Sequence, residues 1–336
     1  MKITTVDTHT EGQPTRIVVS GIDELPGETM EERRRVFRDR YDHLRTGLLG
    51  EPRGHQGMFG CVLTEPCDPR ADFGVIFIHN SGYVDVSGPG MIGVATALIE
   101  TGIIEPDGGA ASVTLETPSG VVVAHVQMKG SRAASVTFRS VPAWVALLGA
   151  SLQLPDHGEV IVDVAFAGNL YVWAWAEHLG IELAGGNIDR VIEVALEVRE
   201  AANEKLVVRD PESGERRKID VVTILDAPHN DLPALRTVNV FGDGQFARSP
   251  GGMGASARLA VMFDRGEILM DEEVVIESAI TNGTLRGRVV EEVRAGARNA
   301  VITEITGSAH ITGIHDFVFD AGDPLSRGFL IGGSGS

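Results

Sequence analysis

A chain of 336 residues with 43% apolar side chains has enough material for two packed domains. Its 47 acidic and 29 basic residues leave a net charge of −18, so no basic field exists to attract nucleic acid or an anionic membrane; an anionic small molecule remains admissible, because a site can be locally positive. Two cysteines, Cys61 and Cys67, make no disulfide framework. The N-terminus enters a strand-like alternation directly, with no leader pattern, and no apolar run approaches the roughly 20 residues of a membrane span. A reducing, cytoplasmic setting is therefore expected.

Taken in chain order, period-2 apolar segments predict strands over Lys2–Asp7, Gly74–His79, Ser112–Glu116, Val121–Gln127, Ser135–Arg139, Glu159–Val164, Asp220–Leu225 and Arg286–Arg294, separated by turns rich in Gly, Pro, Asn or Asp. Two amphipathic helices interrupt them. One covers Met30–Leu44, with Thr29 and Glu32 spaced as a capping box. The other covers Ile188–Asn203, with Ile188, Val191, Ile192, Ala195 and Val198 on one stripe. Gly332–Ser336 reads as a flexible tail.

Two further helices, Gly90–Glu100 and Gly254–Asp264, are apolar, the first nearly all round and the second mostly so, which marks helices buried on every side. They also match each other. Ser87–Gly102 aligns without a gap on Gly251–Gly266, superposing glycines 88 on 252, 90 on 254 and 102 on 266, and Glu100 on Asp264. This pattern reads as a duplicated unit of strand, glycine-rich turn and buried helix.

Such turns suit a carboxylate. A helix N-terminus has unpaired N–H groups and a partial positive charge, and glycine lets a ligand approach closely. Gly88 and Gly90 would line one helix start, and Gly252, Met253 and Gly254 the other. If the two starts face one cleft, they share one anion and stabilise the charge that develops when the neighbouring Cα–H is removed. Ser87 and Gly251 would then flank that carbon from opposite faces. The layout invites two-base chemistry, for which thiols at a helix start are well suited. Neither position carries one.

The residues that surround these turns resemble the proline racemase family, which includes proline racemases, 4-hydroxyproline 2-epimerases and trans-3-hydroxyproline dehydratases. The resemblance rests on Asp7-Thr8-His9-Thr10-Glu11-Gly12, Glu51-Pro52-Arg53-Gly54-His55, Leu63-Thr64-Glu65-Pro66, His79-Asn80-x-Gly82-Tyr83, Thr117-Pro118-Ser119-Gly120, Gly168-Asn169, Arg248-Ser249-Pro250, Gly307-Ser308-Ala309-His310-Ile311-Thr312-Gly313 and Asp323-Pro324-Leu325-x-x-Gly328-Phe329. It implies an α/β (α+β) fold of two pseudo-symmetric diaminopimelate-epimerase-like lobes, each a curved, mostly antiparallel sheet wrapped around a central helix. The first lobe is expected to take residues 1–126 and 317–336, and the second 127–316. No organic cofactor and no metal is expected, because helix ends supply the electrostatics.

The departures from the family pattern fall at its chemical centre. Where the family's first motif resembles Met-Cys-Gly-His-Gly, this chain has Val86-Ser87-Gly88-Pro89-Gly90. Where the second resembles Asp-Arg-Ser-Pro-Cys-Gly-Thr-Gly, it has Ala247-Arg248-Ser249-Pro250-Gly251-Gly252-Met253-Gly254. The resemblance therefore implies that both catalytic cysteines are replaced. It also implies that Ala247 stands for an aspartate facing the substrate nitrogen, and Pro89 for a histidine whose backbone helps hold the carboxylate. Gly251 cannot transfer a proton; Ser87 is a weak base unless activated; Pro89 has no N–H to donate.

Individual residues carry rival readings. Asp85, two before Ser87, shares its face if both lie on one strand, and is then a substitute base or the activator of Ser87; otherwise it is an exposed strand-end carboxylate. Arg236 lies three before Asn239, where family members tend to carry histidine, and is either a substrate-carboxylate partner or half of a surface ion pair. His55 and His9 are near-cleft candidates or plain hydrogen-bonders. His310 and His315 lack metal-ligand spacing. Cys61 reads as a buried apolar filler, and Trp173 and Trp175 as core or pocket wall. The expected partner is a small-molecule carboxylate, with a homodimer left open. Three functions follow: dehydration of a proline- or hydroxyproline-like acid, which needs one working base; racemisation or epimerisation by other bases; or carboxylate binding without catalysis.

Overall fold

The computed structural model describes residues 1–228 and 235–331, so the tail reading for 332–336 lies outside the described residues. The chain divides into two compact units, Met1–Phe138 with Gly307–Ser336, and Arg139–Thr306.

The first unit begins with the hairpin β1 (Lys2–Thr10) and β2 (Gln13–Ser20). Helix α1 (Met30–Leu49) crosses over to β3 (Phe59–Thr64), which lies parallel to β2. β4 (Phe73–His79) returns antiparallel and turns into the short β5 (Gly82–Val84). Helix α2 (Gly88–Glu100) then crosses to β6 (Ala110–Thr117), parallel to β4, and the meander β7 (Gly120–Lys129) and β8 (Arg132–Arg139) follows.

The second unit repeats that order. After β9 (Trp144–Leu154) come β10 (Gly158–Ala167) and β11 (Asn169–Trp175) as antiparallel neighbours. The helical turn α3 (Ala176–Leu179) and helix α4 (Ile188–Lys205) lead, past the small hairpin β12 (Val208–Arg209) and β13 (Arg216–Arg217), to β14 (Val221–Asp226), parallel to β11. β15 (Leu235–Phe241) returns antiparallel and turns into the short β16 (Gln245–Phe246). Helix α5 (Gly252–Asp264) crosses to β17 (Val274–Ser278), parallel to β15, before β18 (Thr284–Ala295) and β19 (Arg298–Gly307). The last strand, β20 (Ala309–Val318), goes back to the first unit and pairs antiparallel with β1.

Strand alternation explains the layering. In the first unit Ile76 and Ile78 cluster with Phe37, Leu44 and Leu48 of α1, while Phe77 between them faces Gly90 at the start of α2. In the second, Val222, Ile224, Val238 and Val240 cluster with Val191, Val194, Ala195 and Val198 of α4, while Thr223 and Asn239 point the other way, toward the start of α5. Each unit thus has an amphipathic helix on one sheet face and a buried one on the other.

The unit boundaries fall at 138/139 and 306/307, where 126/127 and 316/317 were expected. β8 completes the β6–β7 meander, and β20 is bound to β1, so both belong with the first unit. The eight predicted strands lie on observed ones, except that Asp220 precedes β14. Both amphipathic helices run a little further than predicted, and Thr29 caps α1 through Glu32 N–H at 3.2 Å. The reciprocal bond differs: Glu32 Oε2 accepts from Glu28 N–H, not from Thr29. Both buried helices begin two residues before the expected glycines, at 88 and 252. Under the gapless register the two helices start and end at matching positions, and Gly102 (φ 73°) and Gly266 (φ 70°) follow both in left-handed conformation. Among the described residues no helix is long and apolar enough to cross a membrane.

Packing at the start of α2 is close. A Cβ on Gly90 would lie 2.5 Å from Phe77 Cε1, and Phe77 is fully buried. Gly90→Ala is therefore expected to cost about 1–3 kcal/mol, read as a lower denaturant midpoint with unchanged slope.

Candidate active site

The first glycine turn follows β5. Ser87 (φ −129°, ψ 113°) is the N-cap of α2, and its Oγ accepts from Gly90 N–H at 3.2 Å. Ser87 O accepts from Met91 N–H at 2.8 Å. Pro89 sits in the first helical turn, where a missing N–H costs nothing. Thr10 Oγ1 donates to Pro89 O at 2.8 Å and fixes that turn to β1. Of the three residues 88–90, one amide is absent and one is occupied by the cap, so Gly88 alone keeps an N–H for a ligand. This corrects the expectation that both Gly88 and Gly90 offer amides.

The second turn is built differently. Gly251 has φ 81° and ψ 107°, and its carbonyl accepts from Ala255 N–H at 2.8 Å. Among the described residues no side chain caps the start of α5, at Gly252, Met253 and Gly254. The start of α5 therefore leaves more backbone amides uncapped than the start of α2.

Asn239 shapes this second turn. Its Nδ2 donates to Pro250 O at 2.7 Å, its Oδ1 accepts from Thr223 Oγ1 at 2.6 Å, and its carbonyl accepts from Ala247 N–H at 2.9 Å. A Cβ on Gly251 would lie 2.8 Å from Asn239 Nδ2. The glycine is thus required both by its backbone angle and by its neighbour. Ala247 is half-buried and carries no charge. Asn239 entered the sequence reading only as a position; its signal was a polar residue between Val238 and Val240, on the opposite strand face and paired with the equally buried Thr223.

Several candidates are placed away from these roles. β5 ends at Val84, so Asp85 does not share a strand with Ser87. Its carboxylate bonds Arg34 of α1, and its side chain is 47% exposed. Arg236 is neither a surface residue nor in a surface pair: its Nε bonds Glu277 Oε1 at 3.0 Å, with both side chains buried. His55 is exposed, with Nδ1 2.9 Å from Gln56 O. His9 Nδ1 accepts from Gly12 N–H at 3.2 Å, and its ring lies 5.4 Å from that of His310. Cys61 is buried, and burial pushes its thiol up. Trp173 is buried and Trp175 half-buried. Within α5, Arg258 interrupts the apolar surface and bonds Asp163 Oδ2 at 3.3 Å.

The segment before Ser87 is held by α1. Arg45 donates from Nη1 to His79 O (2.8 Å) and Asn80 O (2.5 Å), and from Nε to Asp42 Oδ1 (2.6 Å). Tyr83 OH donates to the same Asp42 oxygen at 2.6 Å. The Arg45 hydrogen bond, with help from Tyr83, holds the Asp42 carboxyl below its ordinary value of 3.8. The stability this supplies is present above 3.8 and is lost as pH falls through the lower folded value. Asp42→Asn is expected to flatten the acid limb of a stability-against-pH curve while leaving its neutral-pH shape unchanged.

The pseudo-symmetric α/β units, each presenting a glycine turn at the start of a buried helix, define the class, and comparison identifies the family. Residues 5–330 match the proline racemase family model. A proline racemase from Acetoanaerobium sticklandii is 39% identical over 327 residues, covering 97% of each chain. A trans-3-hydroxy-L-proline dehydratase from Bacillus thuringiensis subsp. konkukian is 38% identical over 339 residues, covering 98% of each. The crystal structure of a hydroxyproline epimerase from Agrobacterium vitis, with bound trans-4-hydroxy-L-proline, superposes with a TM-score of 0.90 at 29% identity, covering 98% of this chain and 95% of that one. The chain belongs to the proline racemase family and is an isomerase or lyase of that family.

Proposed function

We propose that this protein dehydrates a 3-hydroxyproline-like acid, using Ser87 as its single proton-transfer side chain, with Ser87 and Gly251 standing where the family's cysteine pair is expected. One observation carries the reading: the N-cap of α2 bears a hydroxyl, whereas the N-cap of α5 is a glycine whose side-chain space is taken by Asn239.

Both glycine turns act on one substrate in this proposal. The carboxylate rests on the amides of Gly252, Met253 and Gly254, with Gly88 adding one more donor. These preorganised dipoles stabilise the negative charge that spreads into the carboxylate when the Cα–H bond breaks. Ser87 takes that proton from one face. Its oxygen lies at a positive helix end and receives the Gly90 N–H, and both features favour alkoxide character. With Ser87 ionised by loss of its own proton to solvent, the electron pair of the Cα–H bond forms Cα=Cβ, the Cβ–O bond breaks, and the departing hydroxide takes the abstracted proton back from Ser87 and leaves as water, which returns Ser87 to its alkoxide form. The resulting enamine tautomerises to a cyclic ketimine. Inversion at Cα needs a second proton carrier on the opposite face, and Gly251 has none. No cofactor enters this scheme, because backbone amides supply the electrostatics.

The test is incubation with trans-3-hydroxy-L-proline, trans-4-hydroxy-L-proline and L-proline in deuterated water. The expected product is ketimine from the 3-hydroxy acid alone, trapped as proline by borohydride. Stereo-inverted, Cα-deuterated product would instead establish an epimerase or racemase. No turnover, with a melting-temperature rise on adding substrate, would establish a carboxylate binder.

A further inference from the structure

We infer that α1 is a positioning element for the Ser87 turn, and that the Arg34–Asp85 ion pair is its latch; this rests on Ser87 being the reacting group. The segment that delivers Ser87 has little structure of its own. β5 pairs with β4 over Gly82–Val84 only, and Asp85 and Val86 lie between that strand and the helix. What holds them is one face of α1. Arg34 bonds the Asp85 carboxylate. Phe37 meets the Tyr83 ring edge-on at 6.3 Å. Asp42 accepts the Tyr83 hydroxyl, and Arg45 binds the carbonyls of His79 and Asn80. Asn80 Nδ2 closes the turn on Leu49 O at 2.7 Å. Residues 34, 37, 42 and 45 share a face by helical spacing.

The second unit shows the same device in reduced form. There α4 reaches the equivalent β15–β16 turn through Arg199 Nη1, 2.5 Å from Gly242 O. The position two before the N-cap is Ser249, buried and without a hydrogen-bond partner for its Oγ. A charged latch two residues before the N-cap therefore accompanies the serine-bearing turn and not the glycine one. A guanidinium anchored on a 20-residue helix holds a carboxylate through a charge-assisted bond. Such anchoring suits a turn whose side chain must reach a reacting carbon, since a misplacement of about 1 Å costs about a hundredfold in rate.

The test is a double-mutant cycle on Arg34→Ala and Asp85→Ala, read by ketimine formation and by hydrogen exchange of the peptide spanning residues 84–91. Each single variant is expected to lower kcat about tenfold with KM within about twofold, and the double variant no more than either, because all three break the Arg34–Asp85 pair and the other partner of Arg34, Glu31, lies exposed on the same helix. Arg34→Lys, which retains a cation, is expected to recover most of the rate. Exchange in 84–91 should quicken in both single variants, while exchange at 252–255 stays as in the parent. Three results would overturn the inference: a loss for Asp85→Ala a hundredfold larger than for Arg34→Ala, which would make Asp85 itself the base; unchanged kcat in both; or unchanged exchange in 84–91. If the parent forms no ketimine, the dehydratase reading falls, and hydrogen exchange alone then decides the latch.

Discussion

Placing cysteine at position 251, alone or with Ser87→Cys, is expected to destabilise the protein by about 1–3 kcal/mol and to yield no racemisation of proline. Gly251 sits at φ 81°, in a region that L side chains rarely adopt. A Cβ built there would approach Asn239 Nδ2 to 2.8 Å, and that amide is already bonded to Pro250 O and Thr223. The new side chain would thus crowd a buried carboxamide. Asn239→Ala added to Gly251→Cys should recover part of the lost stability but leave the backbone penalty in place. Denaturant midpoints and a chiral assay on L-proline check both halves. Robust racemisation by Ser87→Cys/Gly251→Cys would show that the second turn can readily adopt another conformation, and the single-base reading would fail.

Ser87→Gly is expected to lower kcat for ketimine formation by about 10²- to 10⁴-fold, the usual worth of a positioned acid or base. Glycine is chosen because it is nearly as good an N-cap as serine, so the cap costs only a few tenths of a kcal/mol, against about 1 kcal/mol for alanine. Affinity for a planar inhibitor such as pyrrole-2-carboxylate should change by less than about twofold, because its carboxylate is assigned to the α5 amides. Single-turnover kinetics and calorimetry separate the two effects. A variant that keeps its rate would remove Ser87 from the chemistry.

The layered plan was legible because successive side chains of a strand point to opposite faces. Ile76 and Ile78 on one face and Phe77 on the other announce a strand with helices on both sides, and the gapless match of 87–102 on 251–266 predicts two equivalent helices with their ends in register. The strands that escaped notice include short or continuously apolar ones such as Phe59–Thr64 and Val274–Ser278, where period 2 has little length in which to show. Both helix starts lie two residues earlier than expected; at α2 the first turn admits Pro89, which lacks only an N–H that has no helical partner. The asymmetry of the two turns was hidden for a different reason. Sequence pairs Ser87 with Gly251, but it does not reveal that Ser87 uses its oxygen on Gly90, or that a side chain from another strand fills the space beside Gly251. Both facts depend on tertiary contact. Arg34 and Asp85 are 51 positions apart, and nothing local couples them.

A crystal structure with pyrrole-2-carboxylate bound bears most directly on this account. The carboxylate oxygens should lie within hydrogen-bond distance of the amides of residues 252–254, and Ser87 Oγ should lie about 3.5 Å or less from the ring carbon that bears the carboxylate. A ligand seated away from the α5 amides, or with that carbon out of reach of Ser87, would contradict it.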